Sequence, residues 1–295
     1  MKIGLGAVQF GLNYGISNTQ GKTPPDEVRA ILIAARKLGV HVIDTASLYG
    51  DSEAVLGQCM PKDASFDIVT KTPQFGTPRI GNEDAQRLED IFAASLAKLG
   101  RPSIYGLLMH RVDDLFVPGG GLLMERMIQL KQAGLVQKVG VSVYSGRQID
   151  EVLERFPIDL IQLPVNVLDQ RLIHGGHLRK LKQAGVEIHA RSAFLQGLLL
   201  MGPDAVPAYF DRVRGGIAQY HQFAESLGLT AVQAALGFVS SIPEIDCVIC
   251  GVNDSAQLQE ICAAGDVRVQ YQDYARFAVD DESIVNPAMW RISKE

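Results

Sequence analysis

The amino-acid sequence predicts an α/β protein with a (β/α)8 fold, the TIM barrel, in a single domain. Eight short apolar segments alternate with longer amphipathic segments along the chain, a pattern typical of parallel strands connected by helices. No internal repeat and no long linker rich in serine, proline or glycine divides the chain. We therefore assign residues 1–295 to one domain with a C-terminal tail from about residue 266. A doubly wound open sheet is the alternative.

The strand candidates are short and almost continuously apolar, as expected for parallel strands that are buried on both faces. In chain order they are Lys2–Gly6, Val40–Asp44, Phe66–Lys71, Ile104–His110, Val136–Ser142, Leu160–Leu163, Val186–Arg191 and Cys247–Gly251. Eight parallel strands are the number that closes a (β/α)8 barrel.

The helix candidates are bounded by residues that start or stop helices. The first follows Pro24-Pro25 and ends at Gly39, and the others mostly end at a glycine or shortly before a proline. They are Asp26–Leu38, Asn82–Leu99, Gly121–Ala133, Arg147–Arg155, Leu178–Ala184, Ala205–Leu227, Ala231–Ser240 and Ser255–Ala263. The tail beyond Gly265 is polar and aromatic, and its pattern predicts no particular element.

Charge and hydropathy exclude several classes of protein. The 28 Lys and Arg residues against 33 Asp and Glu residues give a formal net charge of −5, without a dense basic cluster. This balance argues against a nucleic-acid partner. No apolar run has the length of a membrane span, and Met1–Gly6 reads as a strand rather than as part of a signal peptide. We therefore expect a cytoplasmic protein with no membrane partner.

The cysteines suggest no disulfide framework and no metal site. Four cysteines occur in the chain, and Cys247 and Cys250 form a C-x-x-C pair. This pair falls within an apolar, strand-like run, whereas a redox motif is expected at the start of a helix. We interpret the pair as reduced thiols of a strand.

Four polar side chains follow or end three consecutive strand candidates. Asp44 ends the second strand, with Tyr49 five residues further on, while Lys71 and His110 end the third and fourth strands. Active sites of such barrels lie at the carboxyl ends of the strands. Since consecutive strands are neighbours in the barrel, we expect these four side chains to converge.

Together these four groups suit the reduction of a carbonyl. The reaction needs a proton donor at the oxygen while a hydride attacks the carbon. Free tyrosine has a pKa of about 10, and a nearby lysine ammonium is expected to lower it. The aspartate would hold the lysine, and a neutral histidine would orient the substrate oxygen.

Each residue taken alone also has an ordinary structural explanation. Asp44 could cap the following helix, Tyr49 could be a loop aromatic, and Lys71 could be a solvated strand end. His110 could be a polar residue at the barrel rim. The joint pattern is much less expected by chance than any one of its members.

The segment from Ile43 to Gly57, with the letters IDTASLYGDSEAVLG, closely resembles the signature of the aldo-keto reductase family. Further resemblances follow in order along the chain, at Val69–Lys71, Leu107–His110, Val139–Ser142, Ile161–Asn166, Phe194–Gly197 and Gly251–Glu260. The resemblance therefore covers nearly the whole chain.

The resemblance implies roles for particular residues. Tyr49 would be the general acid and base, Asp44 and Lys71 would tune it, and His110 would orient the substrate. The residues expected to contact a nicotinamide cofactor are Gly6, Ala7, Asp44, Ser142, Gln162, Arg191, Ser192, Phe194, Gln196, Gly197, Gly251, Asn253, Gln257 and Glu260.

The sequence departs from the family pattern at several of the implied cofactor positions. Val143 stands where an asparagine usually contacts the nicotinamide amide, and Arg191 takes the place of the tyrosine that often stacks on the ring. The flat guanidinium of Arg191 could stack in the same way. Ile261 replaces the asparagine that usually follows Glu260, which weakens the adenine contact.

The resemblance favours NADP(H) as the cofactor, with NAD(H) as the alternative. Many family members bind the 2′-phosphate of the adenosine with Lys and Arg in the loop after strand eight, where this chain has Gly251 and Gln257. The diphosphate would then be bound by backbone N–H groups around Gly251–Ser255, at the start of the last helix.

The sequence thus predicts an NAD(P)(H)-dependent oxidoreductase that transfers a hydride to or from an aldehyde, a ketone or an aldose. The opening segment Gly6–Gly15 resembles family members often encoded beside surface-polysaccharide genes, which favours a sugar-like substrate. The alternatives are an NADP(H)-binding regulatory module and a sugar-biosynthesis enzyme that uses its cofactor transiently. A monomer or a small homo-oligomer is expected.

Overall fold

The computed structural model describes residues 2–61 and 64–291 and confirms the predicted barrel. Eight parallel strands close into one barrel in chain order, and β1 pairs with both β2 and β8. The strands are β1 (Ile3–Gly6), β2 (Val42–Asp44), β3 (Asp67–Lys71), β4 (Ile104–Met109), β5 (Val136–Ser142), β6 (Leu160–Pro164), β7 (Glu187–Arg191) and β8 (Cys247–Gly251).

Strand register brings the polar strand ends to one face of the barrel. Gly6 of β1 pairs with Asp44 of β2 on one side and with Gly251 of β8 on the other. Ser142, the last residue of β5, pairs with Gln162 of β6. Because all the strands are parallel, their carboxyl ends open onto the same loops, and the candidate site lies there.

Twelve helices surround the barrel or lie in its loops in the described part of the chain. They are α1 (Val8–Gly11), α2 (Pro25–Lys37), α3 (Ser52–Cys59), α4 (Asn82–Leu99), α5 (Gly121–Gln132), α6 (Gly146–Arg155), α7 (Arg171–His174), α8 (His177–Gln183), α9 (Asp211–Ser226), α10 (Ala231–Ser240), α11 (Ser255–Ala264) and α12 (Glu282–Val285).

The sequence prediction misses helices α1, α3, α7 and α12, and it places the start of α9 too early. Helix α3 lies between β2 and β3, where no helix is predicted, and five of its eight residues are buried. A helix that is buried around much of its circumference lacks the amphipathic stripe on which the prediction depends. Helix α9 begins at Asp211 rather than at Ala205, because Pro203 and Pro207 open two separate 3-10 turns before it.

The C-terminal tail packs against the outer helices. A 3-10 segment at Tyr271–Phe277 buries Tyr274, whose ring centroid lies 5.2 Å from those of Phe223 in α9 and Phe238 in α10. Further on, the ring of Trp290 meets Phe210 edge-on at 4.8 Å. The aromatic residues of the tail therefore bind it to α9, α10 and the 3-10 turn before α9.

The C-x-x-C pair lies within β8, as the sequence predicts. Cys247 and Cys250 are both buried, and burial raises the pKa of each thiol. Residues three apart on a strand point to opposite faces, so the two thiols do not face each other.

Within residues 2–61 and 64–291, no single helix meets the length and hydropathy expected of a membrane span. Two consecutive helical segments, Ala208–Ser226 and Ala231–Ser240, meet the criteria jointly, with a bend of 88° between them.

Candidate active site

A groove of about 370 Å³ crosses the face of the barrel at the carboxyl ends of the strands. It runs from the tyrosine, lysine and histidine near β2–β4 to the loop between β8 and α11. The sequence-predicted site residues that line it are Gly6, Asp44, Tyr49, Lys71, His110, Ser142, Gln162, Arg191, Ser192, Phe194, Gln196, Gly197, Gly251, Asn253, Gln257 and Glu260. Ala7 does not line it: this residue is fully buried, and its N–H donates to the backbone oxygen of Asp44 at 2.8 Å.

An ion pair between Lys71 and Asp44 lies at the floor of the groove. The ammonium of Lys71 donates to both carboxylate oxygens of Asp44 at 2.7 Å and to the backbone oxygen of Thr45 at 2.9 Å. Gln162 also donates to Asp44, through Nε2 at 2.7 Å. Burial lowers the pKa of Lys71, and the Asp44 carboxylate opposes this effect. The aspartate therefore holds the ammonium in one position at the barrel floor.

The Tyr49 hydroxyl completes this polar chain, with the Lys71 ammonium 3.4 Å away. Burial raises the pKa of Tyr49, the charge of Asp44 adds to the rise, and Arg191 opposes it. The sequence-based expectation that Lys71 lowers this pKa is therefore not met here. The main physical reason is burial of the phenol, and the Asp44 carboxylate, 2.7 Å from the ammonium, adds to the rise.

The His110 ring stands edge-on to Tyr49, with 5.9 Å between the ring centroids and an angle of 85° between the planes. Burial and the charge of Lys71 lower the pKa of His110 to about 4. The imidazole is therefore neutral at pH 7, in agreement with the sequence-based expectation. Its Nδ1 is buried and has no hydrogen-bond partner within the described residues.

Arg191 lies along the groove, between β7 and the loop after β5. Its guanidinium stacks over the ring of Tyr144 at 4.2 Å from the centroid, and Nη2 donates to the backbone oxygen of Val143 at 3.0 Å. The side chain is thereby held flat against one wall. Within the described residues, the guanidinium forms no ion pair with a carboxylate and packs on Tyr144 instead.

The segment after β7 forms one wall of the groove and is strained. Ser192, Leu195 and Gln196 have φ values of 62°, 48° and 55°, in the left-handed region that non-glycine residues rarely adopt. Gly197 follows with a φ of 95°, and a Cβ atom there would lie 2.0 Å from Oγ of Ser17. Such strain is found where the surrounding structure enforces it, commonly at ligand sites.

The other end of the groove lies at the start of α11, where side chains already bind the backbone N–H groups. The N–H of Asn253 donates to Oε1 of Gln257 at 2.9 Å, and the N–H of Ser255 donates to Oε1 of Glu27 at 2.8 Å. The expectation that backbone N–H groups around Gly251–Ser255 bind the cofactor diphosphate stays a prediction. Two of these N–H groups have side-chain acceptors in this structure, one of them from α2.

Several lining residues were missed by the sequence analysis as site residues. Gln9, Tyr14 and Asn18 reach the groove from the segment that follows β1, and Tyr144 reaches it from the loop after β5. The available signal was their position, since loops at the carboxyl ends of the strands build the active sites of such barrels. Apart from the resemblance of the opening segment, nothing in the local sequence singled these residues out.

The aldo/keto reductase family model matches residues 2–279, and the chain therefore belongs to this family. Aldo-keto reductase str7 of Strobilurus tenacellus is 26% identical over 294 residues, which cover 93% of this chain and 87% of that protein. An uncharacterized oxidoreductase of Bacillus subtilis, YqkF, is 23% identical over 90% of this chain and 88% of its own length. This chain is an NAD(P)-dependent oxidoreductase of the aldo-keto reductase type.

The fold also resembles that of solved family members. Aldo-keto reductase AKR11C1 from Bacillus halodurans, in its holo form, superposes with a TM-score of 0.75 at 19% identity, covering 94% of this chain and 92% of that one. At this level of identity the likeness supports the barrel fold alone.

Proposed function

We propose that the protein reduces or oxidises a small carbonyl compound, an aldehyde, a ketone or an aldose, with Tyr49 as the general acid and base. The proposal depends mainly on the Lys71 ammonium, which lies 2.7 Å from the Asp44 carboxylate and 3.4 Å from the Tyr49 hydroxyl. This chain of contacts fixes the phenol beside His110 at the floor of the groove. A proton donor is thereby held where a substrate carbonyl can approach.

In the direction of reduction, Tyr49 donates its proton to the carbonyl oxygen. The phenol carries its proton at neutral pH, because burial raises its pKa above the ordinary value of about 10. The developing negative charge on Tyr49 is then stabilised by the Lys71 ammonium, which Asp44 keeps in place. Neutral His110 donates a hydrogen bond to the substrate oxygen and orients it toward Tyr49.

The groove suits a nicotinamide dinucleotide. Such a cofactor, when bound, supplies or accepts the hydride. Ser142 and Gln162 would hold the nicotinamide amide. The flat guanidinium of Arg191 would lie along the nicotinamide ring. Two buried acceptors, Gln9 Oε1 and Asn253 Oδ1, have no hydrogen-bond partner within the described residues and would meet donors of the ligand.

The remaining features of the proposal follow from the residues around the groove and from composition. The proposal includes either cofactor, NADP(H), which the family resemblance favours, or NAD(H). Tyr14 presents a phenol hydroxyl and an aromatic face on the substrate side, which suits a hydroxylated, sugar-like carbonyl. Three further points stay predictions. The protein is expected in the cytoplasm, without a nucleic-acid partner, and as a monomer or a small homo-oligomer.

The proposal is tested by turnover on a panel of aldehydes, ketones and aldoses, followed by the absorbance of the reduced nicotinamide. We expect Tyr49→Phe to lose about 10²–10⁴-fold in kcat for reduction. Cofactor affinity, measured by calorimetry, should stay nearly unchanged. Tyr271→Phe, which removes a phenol hydroxyl from the C-terminal tail, is the matched control and should keep wild-type activity.

The outcomes separate the proposed function from its alternatives. Near-full activity of Tyr49→Phe would mean that another group supplies the proton. Tight binding of cofactor without turnover of any carbonyl would support the regulatory module. Cofactor that stays bound through turnover, with no net change in its absorbance, would support a sugar-biosynthesis enzyme that uses the cofactor transiently.

A further inference from the structure

Arg191 brings into the groove a positive charge that no carboxylate of the described residues pairs with. Its Nη2 donates to the backbone oxygen of Val143 at 3.0 Å, and its guanidinium packs on the ring of Tyr144 at 4.2 Å from the centroid. The buried carboxylate of Asp169, in the loop after β6, is bound by Arg171 at 2.8 and 2.9 Å. Arg191 is therefore held in place by neutral groups, and its charge stays unbalanced.

The remaining charges at the Tyr49 end of the groove cancel each other. The charged residues that line the groove are Asp44, Lys71, Arg191 and Glu260. Lys71 and Asp44 form the ion pair at the floor, with 2.7 Å between nitrogen and oxygen. Glu260 belongs to α11, at the other end of the groove. The floor is thus left with one unbalanced positive charge, that of Arg191.

The charge of Arg191 acts on the groups around the proposed position of the reacting carbonyl. Burial raises the pKa of Tyr49, and the charge of Arg191 opposes that rise. Burial and the charge of Lys71 lower the pKa of His110 to about 4, and the charge of Arg191 adds to this effect. Interactions between charges are strong where water is displaced. A ligand bound beside these side chains is therefore exposed to the same charge.

Strand register puts this charge next to the two residues proposed to hold the nicotinamide amide. Ser142 of β5 pairs with Gln162 of β6, and Arg191, the last residue of β7, pairs with Pro164 two residues further along β6. The guanidinium is also bound to the backbone of Val143, which directly follows Ser142. An amide held by Ser142 and Gln162 therefore has the guanidinium as a neighbour.

We propose that Arg191 makes the site bind the reduced dinucleotide more tightly than the oxidised one. This inference rests on the proposed function, in which the nicotinamide lies beside Arg191. The nicotinamide ring carries a positive charge when it is oxidised and none when it is reduced, so the guanidinium repels the oxidised form alone. A neutral aromatic ring at this position would pack on either form without that repulsion. Release of the oxidised cofactor after reduction of a carbonyl is thereby made easier.

Direct binding of NADPH and NADP⁺ to the whole protein, measured by calorimetry, tests the inference without turnover. Both ligands carry the same adenosine half, so the contribution of the 2′-phosphate cancels in the ratio of their affinities. We expect NADPH to bind at least about tenfold more tightly than NADP⁺ in the wild type. Arg191→Gln removes the charge and keeps a planar polar group, so this ratio should fall about tenfold. NADH and NAD⁺ should show the same change.

Two further variants separate the charge of Arg191 from its flat shape. Arg191→Lys keeps the charge and loses the plane, and its ratio should stay within about twofold of the wild type. Arg191→Tyr supplies a flat ring without charge, and its ratio should fall as in Arg191→Gln. The matched control is Arg147→Gln in α6, where the side chain is 72% exposed and pairs with Glu151 at 3.2 Å. It changes the net charge equally, and its ratio should match the wild type.

Equal affinities of the wild type for NADPH and NADP⁺ would contradict the inference. A wild-type ratio in Arg191→Gln, a ratio in Arg191→Lys as low as that of Arg191→Gln, or an equal fall in Arg147→Gln would do the same. If neither dinucleotide binds the wild type, the proposed function fails instead. Should Arg191→Gln not fold, as judged by circular dichroism, Arg191→Tyr decides. The reduction potential of the bound cofactor is a second readout, since tenfold tighter binding of the reduced form raises it by about 30 mV.

Discussion

Gly11 lies directly against the backbone of Tyr49: a Cβ atom on Gly11 would be 1.8 Å from the Tyr49 carbonyl oxygen and 2.6 Å from the Ser52 nitrogen. The neighbouring Gly50 makes the converse contact, since its own Cβ would lie 2.5 Å from the oxygen of Gly11. Helix α1 and the loop after β2 therefore approach each other as closely as two backbones can. This contact sets the position from which the Tyr49 ring reaches the groove.

We predict that Gly11→Ala lowers kcat for carbonyl reduction at least about tenfold, because a clash with backbone atoms displaces Tyr49. The same clash should cost about 1–3 kcal/mol in the free energy of unfolding. Steady-state kinetics and denaturant melts measure the two effects. Gly216→Ala is the control, since a Cβ there meets no atom within 4 Å and α9 should gain slightly in stability. Unchanged kcat in Gly11→Ala would mean that this contact does not position Tyr49.

Replacement of Lys71 should affect both stability and catalysis. Lys71→Met leaves the buried Asp44 carboxylate without its cation, a change that costs about 3–5 kcal/mol for buried pairs. It also removes the charge that stabilises Tyr49 as it gives up its proton, so kcat should fall by about 10²-fold or more. Denaturant melts and single-turnover reduction measure the two losses.

Lys180→Met provides the comparison for Lys71→Met, because the Lys180–Asp150 pair is about half exposed on the outer surface. An exposed pair of this kind is worth about 0–1 kcal/mol, and kcat should stay at the wild-type value. A Lys71→Met protein as stable and as active as the Lys180→Met protein would contradict the assigned role of Lys71.

The imidazole of His110 should not titrate near neutral pH. Its pKa is lowered to about 4 in the folded protein, against about 6.5 in an unfolded chain. As the pH falls from about 6.5 to 4, the unfolded chain takes up a proton that the folded protein does not, so this group reduces the free energy of unfolding over that range. Above about pH 6.5 its contribution is fully present.

Nuclear magnetic resonance of the histidine ring protons tests this behaviour, with the His110 signal assigned by its loss in His110→Gln. We expect the signal to keep its position from pH 8 down to about pH 5. A titration with a midpoint at pH 6 or above would show that the ring is charged near neutrality. It would then have to enter the mechanism as an acid rather than as a neutral donor.

At the opposite end of the barrel, Glu187 is the centre of a polar network. Tyr105 and His189 each lie 2.7 Å from its carboxylate oxygens, and Lys138 pairs with it as well. Burial alone would raise the pKa of Glu187, but the hydrogen bonds from His189, Lys138 and Tyr105 outweigh burial and lower the pKa to about 2. This stabilisation is present above the unfolded pKa of about 4.3 and is lost as the pH falls toward 2.

We predict that Glu187→Gln destabilises the protein by about 1–3 kcal/mol at pH 7, because it leaves buried donors without a charged partner. The difference from the wild type should shrink as the pH falls from about 4.3 toward 2, in chemical melts followed by fluorescence. Glu154→Gln, on the exposed surface of α6, should match the wild type throughout. A constant difference between Glu187→Gln and the wild type at every pH would contradict the lowered pKa.

The sequence by itself determined the barrel, its eight strands and the convergence of Asp44, Tyr49, Lys71 and His110. Alternation of apolar strands with amphipathic helices is a local property, and residues that end consecutive parallel strands must meet at one face. For the same reason, most of the residues expected along the groove do line it. Helix α3 could not be predicted in this way, because much of its surface is buried and its residues therefore show no amphipathic pattern.

The tertiary structure alone decided what each polar group contacts. Burial of the Tyr49 phenol, together with the charge of Asp44, raises the pKa of Tyr49, which reverses the shift expected from Lys71. Glu27 of α2 accepts a hydrogen bond from the Ser255 N–H at the start of α11, 228 residues away along the chain. Both effects depend on distances of a few ångström between residues far apart in sequence. Electrostatic interactions over such distances are set by packing and burial, which no local pattern of residues encodes.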